Sequence, residues 1–126
     1  MTAHRKRILI CSQDPIFVKG LYGPLRDSGY EVETGEHPND AVRSVIHAPY
    51  LAVILDSTDF GLNVADAAAI IRNVRPDIFI IVIGDGPDTH DLYTVKKADA
   101  VVHLEGLFKG LAKSFPDSMQ YSGVLY

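Results

Sequence analysis

Asp56 stands directly after the apolar run Leu51-Ala52-Val53-Ile54-Leu55, and no other carboxylate in the chain is as well placed to meet a ligand. If that run is a strand of an open parallel sheet, its next residue emerges at the carboxyl edge, where ligands of such sheets gather. A carboxylate there can serve as a nucleophile or as a hard oxygen ligand, and the plain alternative is a cap for the following loop. Three other apolar runs end in the same way, at Cys11-Ser12-Gln13-Asp14, Ile83-Gly84-Asp85-Gly86 and Leu104-Glu105-Gly106. Asp14 precedes Pro15, a pairing that favours capping a helix over binding a metal.

The remaining reactive residue types form no recognisable set. Gly84-Asp85-Gly86 could approach a phosphate through backbone N–H groups. It lacks the third glycine and the first-strand position of a dinucleotide fingerprint, so a turn is the better reading. His4, His37, His47, His90 and His103 are dispersed, and no two lie three or four residues apart, so zinc is not expected. Cys11, the single cysteine, reads as a small buried residue, with redox sensitivity as a remote alternative; no internal disulfide can form. Ser57 and Thr58 have no base partner and no nucleophile-elbow pattern around them, and there is no catalytic triad. The chain is therefore not expected to be an enzyme.

The elements that would hold these residues follow from periodicity. Apolar runs at Arg7–Cys11, Tyr30–Thr34, Tyr50–Leu55, Ile78–Ile83 and Ala100–Leu104 start about 20 to 28 residues apart, the length of a strand and a helix. The first, third and fourth are nearly continuous in branched aliphatic residues, as strands covered on both faces are. The second alternates and reads as an edge. Between them, Phe17, Leu21 and Leu25 mark a helix from Pro15 to Ser28, ended by Gly29, with Pro24 predicting a kink or early break. A second helix opens at Pro38 with Ala41, Val42, Val45 and Ile46 on one face. Asn63 is expected to cap a third, with Val64, Ala67, Ala68, Ile71 and Val74 inward. Asp88-Thr89 precedes a weaker fourth with Leu92 and Val95, and Leu107, Phe108, Leu111 and Phe115 mark a fifth. Five such units predict an α/β fold: a five-stranded parallel sheet with helices on both faces.

Composition agrees with one globular domain. The chain has 126 residues, 47% hydrophobic and 22% charged, and a formal net charge of −4. Apart from His4–Arg7 its basic residues are scattered, which argues against a nucleic-acid surface. No apolar run approaches the ~20 residues of a membrane span, and no signal peptide is visible, so a cytoplasmic protein is expected. Residues 116–126 show little periodicity and read as a C-terminal tail to a domain over 1–115, with no second domain after it.

Several phrases together resemble the receiver (CheY-like) domain of bacterial response regulators. Tyr50-Leu-Ala-Val-Ile-Leu-Asp56 with Gly61 beyond it looks like that family's central strand and phosphoacceptor loop. Arg7-Ile-Leu-Ile-Cys-Ser-Gln-Asp-Pro15 looks like its first strand and acidic turn. Gly29-Tyr-Glu-Val32, Pro76-Asp-Ile78 and Ala98-Asp-Ala100 match its entries into strands two, four and five, and the likeness runs in order over roughly residues 5 to 115. The resemblance implies a (βα)5 flavodoxin-like fold in which Asp56 matches the aspartate phosphorylated by a histidine kinase. It also implies two acidic residues after strand one holding Mg²⁺ with that aspartate, a hydroxyl after strand four and a lysine after strand five.

This chain departs from that pattern around Asp56. Matching the family's pattern places its acidic pair on Ser12 and Gln13, with Asp14 a pocket carboxylate one place late. The hydroxyl position falls on Gly84, or on Ile83 if the register slips by one, and the lysine on Leu104, with Glu105 where proline is usual; Lys96 and Lys97, at the far end of the fourth helix, are expected to be remote. The expectation is a stand-alone, degenerate receiver of a two-component or phosphorelay system, acting by protein contact with a histidine kinase or a downstream target. A conventional receiver phosphorylated at Asp56, which alone would require Mg²⁺, is the first alternative. A small-ligand-binding flavodoxin-like protein using Gly84–Gly86 is the second. Leu92, Tyr93, Val95, Val102, Phe108 and Leu111 would lie near the partner face, which could also pair two copies.

Overall fold

The structure is a computed structural model, and it describes residues 6–57, 63–84 and 93–114. Five strands form one sheet: β1 (Arg7–Cys11), β2 (Glu31–Gly35), β3 (Ala52–Asp56), β4 (Phe79–Ile83) and β5 (Tyr93–Val95). Their order is β2-β1-β3-β4-β5 and every pairing is parallel. Four helices are described: α1 (Pro15–Asp27), α2 (Pro38–His47), α3 (Asn63–Val74) and α4 (Lys97–Ser114).

The near-continuous apolar strands bury both faces, as their composition requires. Ile8, Ile10, Ala52, Ile54, Ile81 and Ile83 point to one side, where Phe17, Leu21 and Leu25 of α1 meet Ala100, Leu104 and Phe108 of α4. Leu9, Cys11, Val53, Leu55, Ile80 and Val82 point to the other, against Ala41 and Val45 of α2 and Val64, Ala68 and Ile71 of α3. The result is a three-layer sandwich with β3 at its centre. The second strand is an edge, as expected, and its exposed Glu31 pairs with Arg7 at 3.1 Å.

Three expectations need correction. The fifth strand is Tyr93–Val95, not Ala100–Leu104, which lies inside α4. The burial pattern gives the reason. Ala100, Leu104 and Phe108 are fully buried four residues apart, while Val102 between them is 79% exposed. A strand would have put Ala100, Val102 and Leu104 on one face. Val95, assigned to the fourth helix, is therefore a buried strand residue, while residues 85–92 lie outside the described residues. Ile46 and Val74, expected inward, are largely exposed near their helix ends. Helix α1 continues through Pro24 to Asp27 without the expected break. Gly29, with φ at +99°, then turns the chain into β2 as a C′ glycine should. Asn63 begins α3, and the tail 116–126 and Phe115 lie outside the described residues.

Candidate functional site around Asp56

Asp56 is the last residue of the central strand, and its side chain is fully buried. A buried carboxylate must be hydrogen-bonded or charge-paired to be tolerated. Its Oδ2 accepts a hydrogen bond from Ser12 Oγ at 2.7 Å and lies 2.9 Å from Lys97 Nζ. Ser12, itself buried, also accepts from the backbone N–H of Asp14 through the same hydroxyl oxygen at 3.0 Å. Asp14 completes the cluster, with Oδ2 2.8 Å from Lys97 Nζ. Three chain segments thus converge on one ammonium: the end of β1, the end of β3 and the start of α4.

Asp14 plays two parts. Its Oδ1 accepts from the N–H groups of Ile16 and Phe17, at 3.0 and 3.3 Å, and so caps α1 as the Asp-Pro pair predicts. Its other oxygen takes the ion pair. The hydrogen bond from Lys97, followed by those from the helix N–H groups, holds the Asp14 carboxyl below the ordinary carboxylate range. For Lys97, burial disfavours the charge, but hydrogen bonds and attraction from Asp14 and Asp56 together outweigh it and raise its pKa above the lysine norm. A cation in the first turn of a helix is disfavoured by the helix dipole. The two carboxylates, rather than any preference of α4, account for Lys97's position.

Lys97 is the residue that sequence reasoning missed. The sequence alone puts it at the far end of a fourth helix and the family's lysine on Leu104. Leu104 is instead a fully buried member of the α1–α4 core. The readable signal was the triplet Tyr93-Thr94-Val95, an aromatic and two β-branched residues, followed at once by two lysines. Setting strand five there puts a lysine at the carboxyl edge. Exposure separates the pair, since Lys96 faces solvent and Lys97 turns inward.

Gly84 also acquires a reason. A Cβ at this position would collide with Ser57 Oγ, which donates to the carbonyl of Ile83 at 2.6 Å. The residue after Asp56 therefore fills the space that a side chain at 84 would need. Gln13 does not join the cluster. Its amide nitrogen lies 3.1 Å from His37 Nδ1 on the exposed side, next to a groove of about 900 Å³ lined by Gln13, Lys19, Tyr22, Thr34 and Glu36. Cys11 is buried, and burial pushes its thiol up to about 12, so it is an inert core residue. Glu105 lies on α4, 3.8 Å from Lys109 and away from Asp56's partners.

Divalent-metal binding in receivers calls for several hard oxygen donors around one point. Among the described residues, no three His, Cys, Asp or Glu side chains are grouped to hold a metal ion. Ser12 commits its hydroxyl hydrogen to Asp56, Gln13 turns away, and Lys97 already sits on an oxygen of each carboxylate. The described residues do not fit magnesium.

Structural comparison places this arrangement among known proteins. The response regulator TrrA of Thermotoga maritima, solved with Mg²⁺ and beryllofluoride, superposes with a TM-score of 0.70 at 28% identity, covering 84% of this chain and 98% of TrrA. TrrA solved in complex with the histidine kinase ThkA gives 0.69 at 26% identity over 84% and 97% of the two chains. The receiver domain of a sensor histidine kinase from Pseudomonas aeruginosa, with magnesium in its active-site cleft, gives 0.70 at 20% identity over 86% and 98%. No sequence-family model matches the chain, and no curated protein matches it. The sheet order, the helices on both faces and Asp56 at the end of β3 are those of the CheY-like receiver fold. This chain is similar to response-regulator receiver domains of two-component systems.

Of the residues expected near a partner face, Tyr93 and Val102 are exposed, Leu111 is half-buried, and Val95 and Phe108 belong to the core. Leu92 lies outside the described residues. Tyr93 Oη lies 2.5 Å from His103 Nε2, which ties β5 to the outer side of α4. No described helix is long and apolar enough to cross a membrane.

Proposed function

We propose that this protein is a degenerate receiver, which signals by protein contact and is not switched by phosphorylation of Asp56 under ordinary conditions. The observation that carries this reading is the state of the Asp56 carboxylate. It is fully buried, and its Oδ2 is held by a hydroxyl and an ammonium. Attack on a phosphodonor needs a carboxylate oxygen presented in line, together with a cation to offset crowded negative charge. Here Oδ2 is already engaged by Ser12 and Lys97, and serine and glutamine stand where a conventional site has its acidic pair. The missing side chain at Gly84 removes the hydroxyl that would read a phosphoryl group, and Ser57 fills that volume.

In this reading the domain has no turnover of its own. It presents a fixed surface around β5 and α4, where Tyr93 and Val102 are exposed, to a signalling protein or to a second copy of itself. The test is incubation with acetyl phosphate and Mg²⁺ followed by intact mass measurement. The wild-type chain is expected to carry no phosphoryl adduct under conditions that saturate a conventional receiver. An adduct that disappears in Asp56→Asn would establish the conventional switch instead.

A further inference from the structure

We propose that the open edge of β2 is a docking site for an extended basic segment of a partner protein, which adds to the sheet as a further strand and sets alternate side chains into the groove against α1. The inference goes beyond the degenerate-receiver reading and does not depend on the state of Asp56. It starts from the sheet order, which gives β2 a neighbour, β1, on one side alone. Successive residues of a strand direct their backbone groups to opposite sides in the plane of the sheet. The Gly35 carbonyl accepts from the Ser12 N–H at 3.0 Å, so Gly35, Glu33 and Glu31 face β1. The N–H and C=O groups of Val32 and Thr34 therefore point to the open edge, a template for another strand.

The two faces of that edge decide what the added strand must carry. Val32 and Thr34 are in register with Ile8 and Ile10, so their side chains lie on the α1 side. There Val18, Lys19 and Tyr22 of α1 wall the groove of about 900 Å³ beside Thr34 and Glu36. Every second side chain of an incoming strand would enter it, and Val18 with the Tyr22 ring favours apolar ones. On the opposite face the accessible charge is carboxylate. Glu31 and Glu33 keep 64% and 47% of their side chains accessible, against 26% for Arg7, which pairs with both. Residues directly across from them would meet negative charge, which attracts lysine or arginine and repels acid. A second copy of β2 would bring its own glutamates to the same edge, so self-pairing is disfavoured and a basic partner fits.

The probe is a synthetic peptide that alternates lysine and valine over about seven residues, titrated against the nitrogen-15-labelled chain. It is expected to shift the Val32 and Thr34 amides and protect them from exchange, with further shifts at Lys19 and Tyr22. A peptide of the same composition with its lysines and valines in separate blocks should bind about tenfold more weakly. The Glu31→Lys/Glu33→Lys variant should lose about tenfold as well. Thr34→Pro, a change that an edge strand tolerates, takes away one outward N–H and is expected to abolish binding. If Thr34→Pro does not fold, backbone methylation of the peptide decides instead. Methylating either its valine or its lysine nitrogens should abolish binding, and strand direction sets which. Equal binding by the block peptide and both methylated peptides would reduce the contact to surface charge and overturn the proposal. So would shifts that leave β2 unmoved, no binding at all, or dimers of the free chain that Thr34→Pro separates. A phosphoryl adduct on the wild-type chain would overturn the signalling reading and leave this one standing.

Discussion

Lys97→Met is expected to destabilise the fold by roughly 2–3 kcal/mol, somewhat less than the ~3–5 kcal/mol seen when a wholly buried ion pair loses one partner. The discount reflects Lys97's partial exposure: 24% of its side chain is accessible, whereas that of Asp56 is not accessible at all. What makes the loss large is the partner left behind. Asp56 would remain as a buried carboxylate without the ammonium that now lies 2.9 Å from it. Asp56→Asn should behave differently, because it removes the buried charge, keeps the shape and leaves Lys97 with Asp14. Its effect is expected within about 1 kcal/mol of neutral. The double variant should therefore be more stable than Lys97→Met alone. Urea denaturation of the four proteins yields the coupling as a double-mutant cycle. Additive effects would mean that Lys97 and Asp56 do not hold each other.

The second large effect is at Leu104. Receiver resemblance alone aligns this position with a lysine of the phosphorylation site, and on that alignment Leu104→Lys would repair the pocket. The structure predicts the opposite. Leu104 is fully buried between the sheet, α1 and Phe108, whose carbonyl accepts the Tyr30 hydroxyl at 2.6 Å. Leu104→Ala should cost about 2–5 kcal/mol through lost packing and a cavity. Leu104→Lys should cost at least as much, since it buries an unpaired ammonium, and this is enough to unfold many domains of ordinary stability. Thermal melts followed by circular dichroism decide the matter. Native-like stability in Leu104→Lys would show that this side chain reaches the pocket after all.

These two residues also show how far the chain could be read unaided. The sheet was legible because ILIC, AVIL and FIIVI are branched aliphatic runs without polar interruption, which only a doubly covered strand tolerates. Asp56 and Asp14 were legible for a related reason, since a carboxylate just after such a run, or just before Asp-Pro's helix, has few other places to go. The last unit was misread. Ala100-Val-Val-His-Leu104 is rich in strand-forming types, while the true strand is three residues long and flanked by charge. Short strands carry little periodic signal, and burial at Ala100, Leu104 and Phe108 revealed the helix only once the layers were assembled. That single shift hid Lys97 and made the pocket look emptier than it is. The role of Ser57 was illegible on other grounds, because whether its hydroxyl fills the space beside Gly84 depends on how β3 and β4 sit together.

The central claim is that the Lys97 ammonium is held between Asp14 and Asp56, and its titration tests this most directly. Its folded pKa lies above the ordinary lysine value of about 10.5, so the pair's contribution is fully present below that value and is lost as pH rises through the folded one. With lysine side chains labelled with carbon-13, the Lys97 ε-carbon resonance is expected to titrate above those of the exposed lysines. In Asp56→Asn its midpoint should fall back toward theirs. A Lys97 midpoint at or below that of the exposed lysines in the wild-type protein would contradict the account.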